Sequence, residues 1–393
     1  MRRAIELGMI VMLAAMLRGQ AAPVPDATRD RALALERQNQ VPEAEAAWRS
    51  YSQAHPADPE PYAQLGLLEA RQGHYAAAVP LYRKALHLNP NVPGLRLNLG
   101  LALFKGGEPG AAIEEFRTLL KTASPESAEA QRLRLLIGMA YYGLGKYSEA
   151  VPYLKTAVAH DAQSLPLRLA LAHSCLWSKQ YPCVLDTYHQ ILTLNAESAE
   201  ADMLAGEAMD EMRDDTGALA QFRAAEKTNP KEPYVHFAVA YMLMRQKRFS
   251  EAVPELQADL ANDPAHVPAR VYLGDCYLRL EDQQHAQPEL ELAVREDPAS
   301  ELAHLDLGII YAAQGKNQEA LAQYLEAVKL NPQDADPHWR LARLYQAMGE
   351  TEKARAESAL VGTLKKQAYQ SVYEQISGAG EARPSTETAK PPQ

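Results

Sequence analysis

Apolar and polar positions follow two rhythms along this chain, one helical and short, the other long and constant. Between Glu301 and Asp334 apolar residues recur every three or four positions, Leu302, Leu305 and Ile309 first, then Leu321, Tyr324, Leu325 and Val328. That spacing lays one apolar stripe on each of two short helices. Gln314-Gly315-Lys316 predicts the turn between them, and Asn331-Pro332 predicts the stop, because proline cannot continue a helix. Gly308, Ala320 and Ala327 are small, so the two helices can cross closely beside the bulk of Tyr311.

The same unit recurs through most of the chain. With Gly308 as its eighth position, the matching small residue falls at Gly274, Ala240, Gly206, Ala172 and Gly138, then Gly100, Gly66 and Ala32, and forward at Ala342. Every step is 34 residues except the one from Gly100 to Gly138, which is 38. The twentieth position runs in parallel through Ala44, Ala78, Ala112, Ala150, Val184, Ala218, Ala252, Ala286, Ala320 and Ala354, and a prolyl stop falls at Pro56, Pro90, Pro230, Pro264, Pro298 and Pro332. An ordinary helical bundle keeps no such period. In this small-large-small pattern the chain resembles the tetratricopeptide repeat family, whose unit is a helix-turn-helix of 34 residues. The resemblance covers roughly residues 25 to 365. It implies an all-α fold, an α-solenoid of about ten repeats wound as a right-handed superhelix and stabilised by nearest-neighbour stacking.

Departures from the repeat predict local features. Four extra residues, Ser127 to Ala130, add close to one helical turn, so a longer first helix is expected in the fourth repeat, with Ser124 as its cap ahead of Pro125. Pro80, Pro152, Pro254 and Pro288 share the twenty-second position, early in a second helix, where little hydrogen bonding is lost. The fifth repeat departs most: Val184 and Ile191 replace small residues, and Ala196 stands where proline would stop the helix. Its Cys175 and Cys183 flank the predicted turn, either as a disulfide, in an oxidising compartment, or as two small apolar fillers. Cys276 has no partner.

The ends read differently. Arg2 and Arg3 precede an apolar run from Leu7 to Leu17, and Gly19 and Ala21 lead to Pro23, the layout of a secretory signal peptide over residues 1–22. The run is too short to span a bilayer, which takes about 20 residues. Export to a bacterial periplasm or beyond the cell is therefore expected, with no transmembrane segment in the mature chain. The repeat domain is set at 25–377, with a long capping helix from Glu352 to Ile376, and residues 378–393, rich in Pro, Ser, Thr and Gly, as a disordered tail.

Composition narrows the function. The net charge is −10, from 50 acidic against 40 basic residues, which leaves no electrostatic footprint for nucleic acid. No nucleophile elbow, HExxH, phosphate-binding glycine loop or calcium loop is present, and the eleven histidines show no metal spacing. No catalytic residue, metal site or cofactor is expected. The acids Glu207, Asp210, Glu211, Asp214 and Asp215 read as a solvated helix end. His236, His304 and His338 share the fourth position of their repeats, a place for packing against the preceding repeat.

The resemblance also implies where a partner is held. In the family, first helices line a concave groove through the fifth, ninth, twelfth and thirteenth positions. Here those positions supply Leu97, Leu101 and Phe104; Leu135, Met139 and Tyr142; Leu169, His173, Leu176 and Trp177; and Phe237, Tyr241 and Met244. The lysine with which relatives clamp a carboxylate at the fifth position is absent from all ten repeats. The expectation is a non-catalytic scaffold holding a protein or peptide partner by apolar anchors, or else the adaptor or substrate-recognition arm of a separately encoded enzyme.

Overall fold

The structure, a computed structural model, describes residues 27–194 and 197–377. The signal peptide and the tail expected at the two ends lie outside the described residues. Two compact units meet at Arg213 and Asp214, inside the sixth repeat, where the sequence suggested one uninterrupted array. The first unit contains α1 (Ala27–Arg37), α2 (Val41–Ala54), α3 (Glu60–Arg71), α4 (Tyr75–Leu88), α5 (Leu95–Lys105), α6 (Pro109–Leu120), α7 (Ala128–Gly143), α8 (Tyr147–His160), α9 (Leu165–Trp177), α10 (Tyr181–Leu192) and α11 (Ala199–Glu211). The second contains α12 (Asp215–Thr228), α13 (Val235–Arg245), α14 (Phe249–Asn262), α15 (Val267–Arg279), α16 (Gln283–Glu296), α17 (Glu301–Ala313), α18 (Asn317–Leu330), α19 (Ala335–Ala347) and α20 (Thr351–Ser377). Every described element is a helix.

In the glycine-bearing repeats the two helices touch through a small residue and a large one. A Cβ placed on Gly308 would lie 2.4 Å from the Tyr324 ring, and one on Gly66 2.7 Å from the Tyr82 ring. Gly100 meets Phe116 and Gly274 meets Leu290 in the same way, each at 2.5 Å. These large residues occupy the twenty-fourth position, and Tyr82, Phe116, Leu290 and Tyr324 are all buried. A Cβ at these distances would overlap the facing side chain, so these four crossings are fitted to glycine.

The turn after each first helix is equally uniform. All ten repeats adopt a left-handed backbone at their fifteenth position, from Asn39 (φ 57°) to Gly107 (φ 86°). Glycine serves at Gly73, Gly107, Gly145, Gly315 and Gly349; elsewhere Asn39, Lys179, Arg213, Lys247 and Glu281 accept the strain. Five second helices, α4, α12, α14, α16 and α18, stop on Asx turns. Asn89, Asn229, Asp263, Asp297 and Asn331 each accept, through a side-chain oxygen, the backbone N–H two residues on, across the intervening proline.

A polar latch then joins one repeat to the next from the fourth position. Arg270 donates to the Pro264 carbonyl at 2.7 Å and to Glu289 at 2.9 Å. His304 lies 3.1 Å from the Pro298 carbonyl and 2.6 Å from Gln323, and His338 lies 3.3 Å from the Pro332 carbonyl and 2.6 Å from Glu357. Arg96 with Glu115 and His236 with Glu255 repeat the second half of the arrangement. The partner carboxylate or amide always occupies the twenty-third position. A backbone carbonyl at the end of one repeat and a largely covered side chain at the start of the next are thus satisfied together.

The expected long helix of the fourth repeat is α7, 16 residues, and the long terminal helix is α20, 27 residues. The cap of α7 differs from expectation. Ser127, not Ser124, accepts the Ala130 N–H at 3.1 Å, because the four added residues also move the start of the helix forward. Cys175 in α9 and Cys183 in α10 are joined as a disulfide, Cα atoms 5.8 Å apart. Closing this eight-residue separation contributes roughly 2–3 kcal/mol on chain-entropy grounds. Cys276 is a buried free thiol, pushed up to about 12 by that burial.

The glycine–ring contact predicts unequal costs for one chemical change. Gly308→Ala drives a methyl into Tyr324 and is expected to destabilise by about 1–3 kcal/mol. At Gly138 the nearest atom is the Tyr153 Cβ at 3.0 Å, so Gly138→Ala is expected to cost less. Urea unfolding monitored by circular dichroism checks the order; equal costs at the two positions would remove the ring contact as the cause.

Candidate partner-binding surface

Successive first helices touch one another, α3 with α5, α9 with α11 and α15 with α17, whereas no two second helices within a unit make comparable contact. First helices therefore lie on the inner side of each unit, and their free faces are the inner surface. Leu101 and Leu176, expected there, are buried in the core instead, each 8% exposed. Both belong to the apolar core of the first unit, so the groove loses two of its expected members. Leu97, Phe104 and Met139 are half-buried and pack on that core; Leu135 and Met244 are half-buried.

The remaining expected residues gather in two places, one in each unit. In the first unit Tyr142 of α7 meets the His173 ring of α9 edge-on at 6.4 Å, and Tyr147 at the start of α8 at 6.0 Å. Trp177, the last residue of α9, stacks on Tyr147 at 6.1 Å and is 65% exposed. His173 faces Glu200 of α11 at 3.1 Å, and Tyr181 donates to Glu211 at 3.2 Å. Burial raises the Tyr142 phenol above its ordinary range, with Tyr147 and Glu200 adding to the effect, so it stays protonated as a hydrogen-bond donor. The surface is aromatic at its centre and acidic at its border.

In the second unit Phe237 of α13 lies between His266 at 4.8 Å and Tyr272 of α15 at 5.6 Å, and Tyr241 stands 6.1 Å from Tyr272. Tyr234 covers His266 at 5.2 Å while 60% exposed, and His266 is held by Asp259 at 2.5 Å. Tyr234 has a left-handed backbone, φ 64°, at the place where the third repeat uses Gly94, φ 72°. A large exposed ring kept on strained backbone is a feature of functional surfaces.

Sequence reasoning missed Tyr147, Tyr234, His266 and Tyr272. One signal was present: the seventeenth position carries an aromatic ring at Tyr75, Tyr147, Tyr181 and Phe249. His266 and Tyr272 had none, because they join the cluster only through the packing of α15 on α13.

Two polar groups need separate treatment. Glu226, His236 and Glu255 bring potential ligand atoms within 4.8 Å of one another. Arg223, however, bonds to Glu226 at 2.7 Å and to Glu255, so a cation already sits among them and the group is an ion network. Farther along, Asp306 of α17 is 1% exposed and its Oδ2 has no partner among the described residues. Burial, then the nearby Asp275 carboxylate, holds Asp306 well above the usual carboxylate range, against the pull of Arg279 and Arg340. Arg279 is bonded to Asp275 at 3.0 Å and Arg340 to Asp336 at 3.4 Å, so neither cation is released to Asp306. Of the expected acidic cluster, Asp214 caps α12 through the Gly217 N–H at 2.9 Å and Asp215 pairs with Arg245 at 2.6 Å.

Models of the tetratricopeptide repeat match residues 25–50, 63–128, 131–163, 210–266 and 240–301, and a model described as TPR repeat matches 308–349. The longest internal stretch between them, 164–209, contains the fifth repeat. Two curated relatives are similar in part. A small glutamine-rich tetratricopeptide repeat-containing protein 2 from Mycosarcoma maydis is 32% identical over 100 residues, 25% of this chain and 27% of that protein. A TPR repeat-containing protein of Pseudomonas aeruginosa is 35% identical over 116 residues, 30% of this chain and 45% of that one. The chain thus spans between a quarter and a half of the length of these relatives. Among solved structures, the APC/C hetero-tetramer Cut9-Hcn1 is 16% identical with a TM-score of 0.46, over 78% of this chain and 59% of that one. This chain is a tetratricopeptide repeat protein, built as an all-α array of tandem helix pairs. Proteins of this class are generally protein-interaction scaffolds. Among the described residues no helix is long and apolar enough to cross a membrane.

The elevated Asp306 predicts a pH dependence. The folded state holds this proton more tightly than the unfolded chain, whose aspartates titrate near 3.9, so stability falls as pH rises above about 4. Asp306→Asn removes the effect: it is expected to be more stable than the parent at neutral pH, with the gap closing below about pH 4. Melting temperatures of both proteins across pH 3.5 to 8 check this; parallel profiles would exclude it.

Proposed function

We propose that this chain is a non-catalytic scaffold that captures an extended or helical segment of a partner protein against the aromatic inner surfaces of its repeats, in the cell envelope. The observation that carries the reading is Trp177, a large ring 65% exposed at the end of an inner helix, stacked on Tyr147 and continuous with Tyr142 and His173. Exposed tryptophan and tyrosine held in place by neighbouring rings are the residue types that dominate binding energy when a partner covers them. Glu200 and Glu211 at the border favour basic residues flanking the apolar anchors. The rings of Phe237, Tyr241 and Tyr272 offer the same chemistry in the second unit.

Truncation separates binding from folding. Trp177→Ala and Tyr241→Ala are each expected to weaken capture of the envelope partner by about 2 kcal/mol, roughly thirtyfold, while the melting transition hardly moves. Core aromatics would instead cost about 3–5 kcal/mol of stability. Affinity purification from the protein's own envelope fraction, followed by calorimetric titration of the purified partner, gives both readouts. Early melting of both variants, or undiminished capture, would place the binding face elsewhere.

Location in the envelope rests on the charged-apolar-small order of residues 1–22. Intact mass spectrometry of the protein from fractionated cells is expected to show a chain beginning near Ala22 in the envelope fraction; retention of Met1 in a cytosolic protein would refute it.

A further inference from the structure

The latch of the fourth and twenty-third positions is broken in the fifth repeat. Arg168 of α9 holds the fourth position, is only 6% exposed, and donates from one terminal nitrogen to the Ala162 carbonyl. Its Nε–H is buried and has no acceptor among the described residues. In five other repeats the twenty-third position answers the latch with Glu115, Glu255, Glu289, Gln323 or Glu357. Here it is Thr187, 2% exposed, whose hydroxyl turns back to donate to the Cys183 carbonyl at 2.7 Å. Arg134 in the fourth repeat also lacks an acid at that position, but it lies half in solvent, where water can serve.

A guanidinium is charged at every accessible pH and carries five donors in a fixed fork. Burying it without an anion is unfavourable, because the charge loses hydration and gains only the Ala162 carbonyl in return. The space the missing carboxylate would have filled is open. A cavity of about 390 Å³ lies against Arg168, walled by Val158 of α8, Leu171 of α9 and Cys183 of α10, and rimmed by Lys155 and Asp186. The Cys175–Cys183 disulfide ties one wall to another.

We infer that this cavity binds a monocarboxylate carried on a short apolar stem, with Arg168 as the anion's partner. Two cations and one anion line it, so the net charge is one positive; a single carboxylate balances that, whereas a phosphate dianion overshoots it and meets Asp186. The volume falls at the small end of ligand pockets, enough for a branched acid or the terminal residue of a peptide. The apolar walls take the stem while the planar fork takes the two oxygens. The site uses α8, α9 and α10 residues distinct from the aromatic rings of the inner surface, so it stands or falls independently of the partner surface proposed above.

The chemistry fits two sources, a free branched-chain acid or the C-terminal carboxylate of a peptide. Nuclear magnetic resonance of the arginine Nε–H groups in the full, disulfide-intact chain separates them, with the Arg168 signal assigned by its loss in Arg168→Met. The probes are isovalerate, the peptide Gly-Gly-Val with a free C-terminus, and the same peptide amidated. A saturable shift of the Arg168 signal by isovalerate or by the free-acid peptide, and none by the amide, is expected; the tighter of the two acids identifies the source. Thr187→Glu supplies the counter-ion present in other repeats, so it is expected to raise the melting temperature and weaken the acid at least about tenfold. Arg168→Met is expected to keep the fold, melt no earlier than the parent, and lose acid-induced thermal stabilisation. No shift with either acid, or acid-induced stabilisation that survives in Arg168→Met, would overturn the site.

Discussion

The structure depends on one contact repeated along most of the chain: a small residue at the eighth position of a unit facing a large one at the twenty-fourth, in every repeat but the last, where Ser358 takes that place. Where the eighth is Gly66, Gly100, Gly274 or Gly308, the facing side chain occupies the volume a Cβ would need. Interiors are packed to crystal-like density, so the distance between two helices is set by the bulk between them. Removing that bulk on one side and restoring it on the other fixes both the closeness of the crossing and its register. The left-handed fifteenth residue follows, since a turn this short between helices this close has to reverse its backbone, and five repeats accept that conformation without glycine.

Apolar contact joins helices within a repeat, but polar contact finishes the junction between repeats. The prolyl residue that ends a second helix leaves a carbonyl in the junction. A Tyr, Arg or His at the next fourth position reaches it, as Tyr62 does for Pro56 and Arg270 for Pro264. In five repeats an acid or amide at the twenty-third position then bonds to the same fourth-position side chain. Stability in such an array is a sum of nearest-neighbour terms, so a junction can change without undoing the others. The fifth repeat shows that freedom. It combines Val184 at a usually small position, a disulfide across its turn, a buried arginine with no carboxylate, and the most exposed ring of the inner surface, Trp177.

Two kinds of surface result from one architecture. First helices turn a face inward that packing does not use, and there the chain places rings supported by other rings, Tyr142 with Tyr147 and Phe237 with Tyr272. Support of this kind lowers the entropy lost when a partner lands on them. Second helices meet first helices through the latch, and where the latch is incomplete a charged cavity opens.

The amino-acid sequence determined the repeat, its length, its two helices and its turn, because those depend on the direction of side chains around a helix and on the few residues that tolerate a stop or a left-handed turn. It also located the long α7 and α20, since an insertion of one turn preserves phase and a terminal helix needs no apolar outer face. The family resemblance, rather than the periodicity, pointed to Tyr142, His173, Trp177, Phe237 and Tyr241 as residues of the first helices' free faces. Only the tertiary structure decided which of the neighbours on that face stay open. Leu101 and Leu176 share the helical phase of the groove residues yet are buried, because exposure depends on the angle at which the next helix crosses, and no periodicity encodes that angle. It alone brought His266 and Tyr272 to Phe237, moved the cap from Ser124 to Ser127, and left Arg168 without an acid. Those outcomes turn on distances between side chains far apart in the chain, whereas periodicity reports only the direction in which each residue leaves its own helix.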